Sequence, residues 1–318
     1  MTQEVHPELV KAGKLFKFIF RPNRVLLGIF HRLTNRNPKA KIRGFKNDTY
    51  LVRRSRAEGD VRVRVYGPHE PRYELPVLLY LHGGGLCINS PEAAHCEISN
   101  FLKACPCIVV APDYTKTVHA PYPAAINDCE DTLDWLLDNA QMLGVRTDKL
   151  IIGGHSAGGG LTVALLLRIR ERGDISVAYQ MPIYPMMDHR SSTESARNNT
   201  MPVWNTKLNK LAWKMYLGGL SESQKIPFDA APAQAEDYAG LPPAMTFVGG
   251  LDPFLDETLN YVESLKRDNV PVEMEIFDQC YHAFDLVVPN AAPSRAAIAF
   301  MQKKFSEAVN TLSAPQPK

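Results

Sequence analysis

The sequence predicts an α/β fold, a mostly parallel sheet with helices on both of its faces. Three observations predict it. Short β-rich apolar runs alternate with longer stretches of helical period, several of the runs are continuously apolar, and no repeat or low-complexity tract breaks the alternation. A continuously apolar strand has both faces covered. Strand-helix-strand connections cross over right-handedly and leave successive strands parallel.

In chain order, strands are expected at 61–66, 76–81, 107–111, 150–153, 177–183, 244–248 and 272–277. In the first of these Arg62 and Arg64 alternate with valines, which reads as an antiparallel edge strand. Helices are expected at 92–103, 124–143, 157–172, 256–268 and 291–309. Residues 186–241 form a connection too long for a turn. They show no strand pattern, yet carry Trp204, Leu208, Leu211, Trp213, Met215, Tyr216 and Leu217. This reads as a helical insertion that pairs with the N-terminal helices as a lid, since long insertions in compact domains are usually functional. The expected organisation is N-terminal lid helices at 1–47, a core at 48–185 and 242–310, the insertion at 186–241 and a flexible tail at 311–318.

Composition limits the function classes. The chain has 318 residues, 45% hydrophobic and 22% charged, with a formal net charge of +2. That suits one large domain with an appended lid, and it argues against nucleic acid as a partner. Residues 9–46 hold eleven Lys and Arg, among them Lys11, Lys14, Lys17, Arg21, Arg24 and Arg32, and no Asp or Glu. Such a basic amphipathic segment suits contact with an anionic membrane surface. The plainer reading, a solvated helix face whose apolar side covers the domain, is preferred. No run resembles a secretory signal, and none of about 20 apolar residues could span a bilayer. A soluble, cytoplasmic chain with reduced thiols is expected. Cys105-Pro106-Cys107 lacks the two-residue spacer of redox and zinc motifs, so neither metal nor cofactor is expected.

The strongest chemical signal is Gly154-His155-Ser156-Ala157-Gly158. It follows the apolar strand Leu150-Ile151-Ile152 directly and opens a helical pattern. A Gly-x-Ser-x-Gly between strand and helix is a nucleophile elbow, its serine lifted above the sheet on a strained turn. Upstream, the run 77–81 ends in His82-Gly83-Gly84-Gly85. Glycines let backbone N–H groups approach a carbonyl oxygen as it turns into an oxyanion, so the hole is assigned to Gly83, Gly84 and Ala157. His82, at the strand end, reads as structural. A serine nucleophile needs a base, and the base needs an orienting carboxylate later in the chain. Of the two histidines after Ser156, His189 lies at the mouth of the insertion, whereas His282 follows the last strand. Asp252 stands just past a strand end. An N-cap with Pro253 at the first helical position is its structural alternative. Asp256 and Glu257 open the next helix and read as caps.

These landmarks resemble the hormone-sensitive-lipase-like (family IV) bacterial esterases of the α/β-hydrolase superfamily. The resemblance runs from about Arg64 to the final helix. It rests on His82-Gly83-Gly84-Gly85, the elbow at 154–159, Asp252-Pro253 with Asp256-Glu257, and Tyr281-His282-Ala283-Phe284. Asp113-Tyr114 with Tyr122-Pro123-Ala124-Ala125 matches a further stretch. The resemblance implies an α/β-hydrolase fold with an eight-stranded sheet and a helical lid. It also implies hydrolysis of short- to medium-chain acyl esters and, in some relatives, a homodimer through the last strand.

The sequence departs from the family at Thr115-Lys116-Thr117-Val118-His119, at Leu86-Cys87-Ile88-Asn89, at His155, where Asp is common, and at Ala283, where Gly is common. Cys87 and His155 are therefore candidate pocket residues; Trp204 and Trp213, as aromatic residues of the insertion, are candidates too, with lid packing an equal explanation for them. Three other readings compete: an aryl formamidase, which often carries a Gly-His-Ser-Ala-Gly elbow; a non-catalytic ligand receptor, disfavoured because His282 is present; and a membrane-anchored lipase.

Overall fold

The computed structural model describes residues 4–19, 28–29, 32, 39–70, 73–220 and 225–317. Eight strands form one sheet: β1 Lys46–Arg53, β2 Asp60–Gly67, β3 Leu75–Leu81, β4 Ile108–Pro112, β5 Val145–His155, β6 Tyr179–Ile183, β7 Ala244–Gly249 and β8 Val272–Phe277. Their order is β1-β2-β4-β3-β5-β6-β7-β8. The first two pairings are antiparallel and the rest parallel.

The helices are α1 Val10–Ile19, α2 His95–Ala104, α3 Ala124–Asp138, α4 Ala140–Leu143, α5 Ala157–Arg172, α6 Thr206–Leu217, α7 Leu255–Arg267, α8 Phe284–Val287 and α9 Ala292–Thr311. Among the described residues no helix is long and apolar enough to cross a membrane. The basic-segment residues Arg21 and Arg24, with the apolar positions 25–27 that follow them, lie outside the described residues.

Why the central strands are continuously apolar is visible in the core. Successive side chains point to opposite faces. Val77, Leu79 and Leu81 of β3 therefore enter one buried cluster with Ile108, Val110, Leu150 and Ile152. Leu78 and Tyr80 enter the other with Val109, Ala111 and Ile151. Helices cover both clusters. On one side α9 lays down Ala297, Met301, Phe305 and Ala308, a stripe at helical spacing, beside Ile98 and Phe101 of α2. On the other, α3 and α5 bury Ile126, Cys129, Leu133, Val163 and Leu167.

Four expectations change. The run at 61–66 is antiparallel but not an edge, because β1 pairs along its whole length outside it. The expected helix at 124–143 breaks at Asn139, which ends α3 and precedes the short α4. Asp256 and Glu257 do not cap α7, whose N-cap is Phe254 with no side-chain cap; they lie in its first turn and bind elsewhere. The Asp256 carboxylate accepts the Ser195 N–H at 2.8 Å, and that of Glu257 accepts the N–H groups of Met187 and Asp188 at 2.9 and 2.8 Å. They tie the start of the insertion to the core. The tail is also docked: the Gln316 side chain accepts the Ser176 N–H and donates to the carbonyls of Ser176 and Thr147.

The tightest packing joins the end of β3 to the elbow. A Cβ on Gly158 would overlap the Leu81 carbonyl oxygen, and one on Gly154 would overlap the same atom. These are backbone contacts, which no rotamer change relieves. Gly158→Ala should therefore destabilise the protein by about 3 kcal/mol, the upper range for overpacking a core. Urea midpoints measure this; a loss under about 1 kcal/mol would contradict the packing.

Candidate active site

The carboxyl ends of β3, β5 and β7, and the loop after β8, bring the predicted residues together. Ser156 sits between β5 and α5 at φ +58°, ψ −119°. This is a strained conformation for a residue with a Cβ. The turn is locked from both sides: the Ser156 N–H donates to the Ile183 carbonyl at 2.9 Å, and its carbonyl accepts the N–H groups of Gly160 and Met186 at 3.0 Å each.

His282 Nε2 lies 2.8 Å from Ser156 Oγ, and Nδ1 lies 2.7 Å from Asp252 Oδ2. The carboxylate only accepts, so the imidazole donates from Nδ1 and leaves Nε2 to take the serine proton. The N-cap alternative for Asp252 is not realised, because Phe254 is the N-cap of α7 and Pro253 precedes the helix, but Oδ1 accepts the Phe254 N–H at 2.8 Å. One oxygen fixes the turn before α7 and the other orients the base. The imidazole is enclosed by rings, with Tyr184 and Phe254 edge-on at centroid distances of 4.9 and 5.0 Å. Ala283, where glycine is common in the resembling family, takes the left-handed φ of +56° that explains that preference.

The glycine loop lies directly against the elbow. A Cβ on Gly83 would stand 2.9 Å from the His155 carbonyl oxygen and 3.5 Å from the Ser156 Cβ. The loop carbonyls are held in place: Gly84 accepts the N–H groups of Cys87 and Ile88 at 3.0 and 3.1 Å, and Gly83 accepts Asn89 Nδ2 at 3.3 Å. Ala157 is the first residue of α5, where an N–H has no partner within the helix. The positive end of the α5 dipole points the same way. His82 is structural, as expected. It is fully buried and stacks on Tyr114 at 4.2 Å, while the Tyr114 hydroxyl donates to the His82 carbonyl at 2.7 Å. The divergent stretch after Tyr114 braces this loop too. Buried Lys116 donates to Asp113 at 2.8 Å and lies over the Tyr114 ring, and the Thr117 N–H donates to the Leu86 carbonyl at 2.9 Å.

The four candidate pocket residues separate. The indole of Trp204 lies on Gly85 with its centroid 6.4 Å from that of His282. Trp213 packs instead against Tyr216 and His189, at 6.0 and 6.3 Å. Cys87 is fully buried and accepts from the Thr117 hydroxyl at 3.0 Å. Burial pushes its thiol up to about 11, so it is an inert core thiol rather than a pocket wall. His155 also points away from the Ser156 hydroxyl. Strand alternation sends it to the opposite face of the sheet, where Nδ1 meets the Tyr80 hydroxyl at 3.0 Å. Phe254 and Tyr184 were not singled out from the sequence. Their only signal was position, Phe254 two residues after Asp252 and Tyr184 directly after β6, the strand beside the elbow strand.

Residues 78–286 match the model of a family described as having the alpha/beta hydrolase fold. The chain is similar to carboxylesterase NlhH of Mycobacterium tuberculosis, 32% identical over 271 residues, covering 80% of this chain and 84% of that one. It is also similar to esterase LipI of the same organism, 30% identical over 229 residues and 71% of each chain. Among solved structures, a bacterial heroin esterase superposes with a TM-score of 0.88 at 27% identity, over 96% of this chain and 98% of that one. Esterase LipW from Mycobacterium marinum superposes with a TM-score of 0.83 at 26% identity, covering 96% and 98%.

Behind the elbow lies a buried polar cluster that the site's hydrogen-bond relay does not use. The Tyr184 hydroxyl donates to Asp285 Oδ1 at 3.0 Å, and the other oxygen stands 3.9 Å from His155 Nε2. Burial pushes the carboxyls of Asp285 and Glu97 up to about 7 each. Burial, then the charge of His282, holds the His155 imidazole down to about 3. Unfolded carboxyls ionise near pH 4, so from about pH 4 to 7 the folded state binds more protons at these two acids. Their contribution to stability falls as pH rises through that window and is level above it. His155 has the opposite slope, gaining stability from about pH 3 to 6.5. The double variant Glu97→Gln, Asp285→Asn keeps His155 and removes only the acid contribution. Its urea midpoint should fall less between pH 5 and 8 than that of the unaltered protein; equal slopes would refute the assignment.

Proposed function

The chain belongs to the hormone-sensitive-lipase-like (family IV) esterases of the alpha/beta hydrolase fold and is a serine ester hydrolase; from that premise we propose that it is a carboxylesterase using Ser156, His282 and Asp252 on short- to medium-chain acyl esters. The observation that carries the reading is the relay of 2.8 and 2.7 Å from the serine hydroxyl through the imidazole to the carboxylate.

In this reading Ser156 Oγ attacks the ester carbonyl while His282 takes its proton at Nε2. Asp252 holds the tautomer and stabilises the imidazolium. The N–H groups of Gly83, Gly84 and Ala157 receive the oxyanion. The imidazolium then gives its proton to the leaving alcohol. A water enters, loses a proton to His282 and releases the acid from Ser156. We further propose that α1 and residues 186–241 form a lid. Two contacts support it: a Cβ on Gly13 would stand 3.0 Å from both Pro202 Cγ and Tyr281 Cε1, and the Tyr281 hydroxyl donates to the Leu9 carbonyl at 3.2 Å.

A panel of p-nitrophenyl esters from acetate to palmitate, with N-formylkynurenine alongside, tests the reaction class. Turnover should be greatest on the short and medium esters and lower on the formamide. Ser156→Ala should retain only the trace that binding and the oxyanion hole supply, and Asp252→Asn should lose about 10⁴-fold in kcat. A formamide preferred over every ester would replace the carboxylesterase reading. Substantial turnover by Ser156→Ala would remove the nucleophile.

A further inference from the structure

We propose that Trp204 determines specificity at this site, as an indole wall over the glycine loop and His282 that limits the substrate bulk beside the scissile carbonyl. The proposal rests on the assignment of Ser156 as nucleophile. The first observation is enclosure. Ser156 is 6% exposed, His282 3% and Trp204 5%, so the hydroxyl that must meet an ester carbonyl is nearly sealed. Trp204 closes the side nearest the chemistry. A Cβ on Gly85 would overlap Trp204 Cη2 and stand 2.8 Å from Cζ2, which places the indole edge on the last glycine of the loop. The same ring faces His282, tilted by 44°. The loop that carries two of the assigned oxyanion amides and the imidazole that protonates the leaving alcohol thus share one wall.

The second observation is how firmly that wall is held. Trp204 Nε1 donates to Asn209 Oδ1 at 3.2 Å, and Asn209 Nδ2 donates to Ser191 Oγ at 2.9 Å, all within the protein. Asn205 caps α6 immediately after, its side chain accepting the N–H groups of Lys207 and Leu208. The Trp204 N–H donates back to the Pro202 carbonyl at 2.8 Å. Between them Val203 takes φ +66°. A β-branched residue in the left-handed region is a genuine outlier and persists only where its surroundings impose it. Here the strain turns the chain so that the indole, and not the valine, meets Gly85. A braced wall favours esters that are compact next to the carbonyl, because each group that does not fit must displace an indole pinned at both ends.

The test compares kcat/KM for p-nitrophenyl acetate through decanoate, and for acetates of increasingly bulky alcohols, in the unaltered protein, Trp204→Ala, Trp204→Phe and Asn209→Leu. Each variant is also titrated with a fluorophosphonate that labels Ser156, so that only folded protein with a live nucleophile is counted. Trp204→Ala should raise the bulky-to-compact ratio at least about tenfold in one series or both, through KM, the scale by which a hydrophobic pocket separates substrates. Trp204→Phe should raise it less, and Asn209→Leu should move it the same way by freeing the indole. If Trp204→Ala does not fold, the other two variants are read alone. Ratios within twofold of the unaltered protein in both series, with stoichiometric labelling, would overturn the proposal. Turnover surviving in Ser156→Ala would instead overturn the assignment beneath it.

Discussion

The whole site depends on one backbone contact, between the carbonyl end of β3 and the turn that follows β5. These neighbouring parallel strands deliver the glycine loop and the elbow to the same place. A Cβ at Gly83, Gly154 or Gly158 would each meet a backbone oxygen of the opposing segment. Glycine here supplies proximity more than flexibility. In the proposed mechanism the amides that receive the oxyanion must stand within hydrogen-bond reach of the carbonyl that Ser156 attacks, and side chains at these positions would hold the two segments apart. The strained φ of Ser156 is sustained by that contact and by the hydrogen bonds that lock the turn on its β6 side.

The sheet order explains why the remaining parts arrive where they do. The elbow strand β5 lies between β3 and β6, and the sheet continues through β7 to β8. Parallel pairing of β3 to β8 places their carboxyl ends on one edge, which is where ligands meet open α/β sheets. The carboxylate comes from the loop after β7 and the imidazole from the loop after β8. Asp252 spans from its own turn to His282 with one oxygen for each. Longer loops could reach the same point, but each extra residue would add freedom to a base that must hold one tautomer and one orientation.

Much of this was legible in the sequence because its signals are local. The elbow and the glycine loop require particular residues at consecutive positions, and the central strands are apolar on both faces. β1 was not legible. Its sequence, Lys-Asn-Asp-Thr-Tyr-Leu-Val-Arg, buries only Val52, so neither a continuous run nor a clean alternation betrays it. With β1 missed, β2 took its place as the expected edge. The same locality misled at Cys87 and His155. Both are adjacent in sequence to functional atoms, but alternation along the chain turns one side chain into the core and the other to the far face of the sheet. Trp204 and Trp213 have equal apolar weight in the insertion. Only the tertiary path, turned at Val203, decides that one meets Gly85 and the other Tyr216.

The departures from the resembling family are where the physics is least generic, and they fall on both sides of the catalytic edge. On one, Lys116 is buried with an aspartate and an aromatic face beside the oxyanion loop; on the other, His155, Tyr80, Tyr184 and Asp285 share a polar cluster beneath the elbow. Buried polar groups are tolerable when they satisfy one another, and satisfied groups in a low dielectric are stiff. Each cluster touches the site through an aromatic ring. Tyr114 stacks on His82 at the root of the glycine loop, and Tyr184 stands edge-on to His282. These two tyrosines connect the clusters to the glycine loop and to the His282 imidazole.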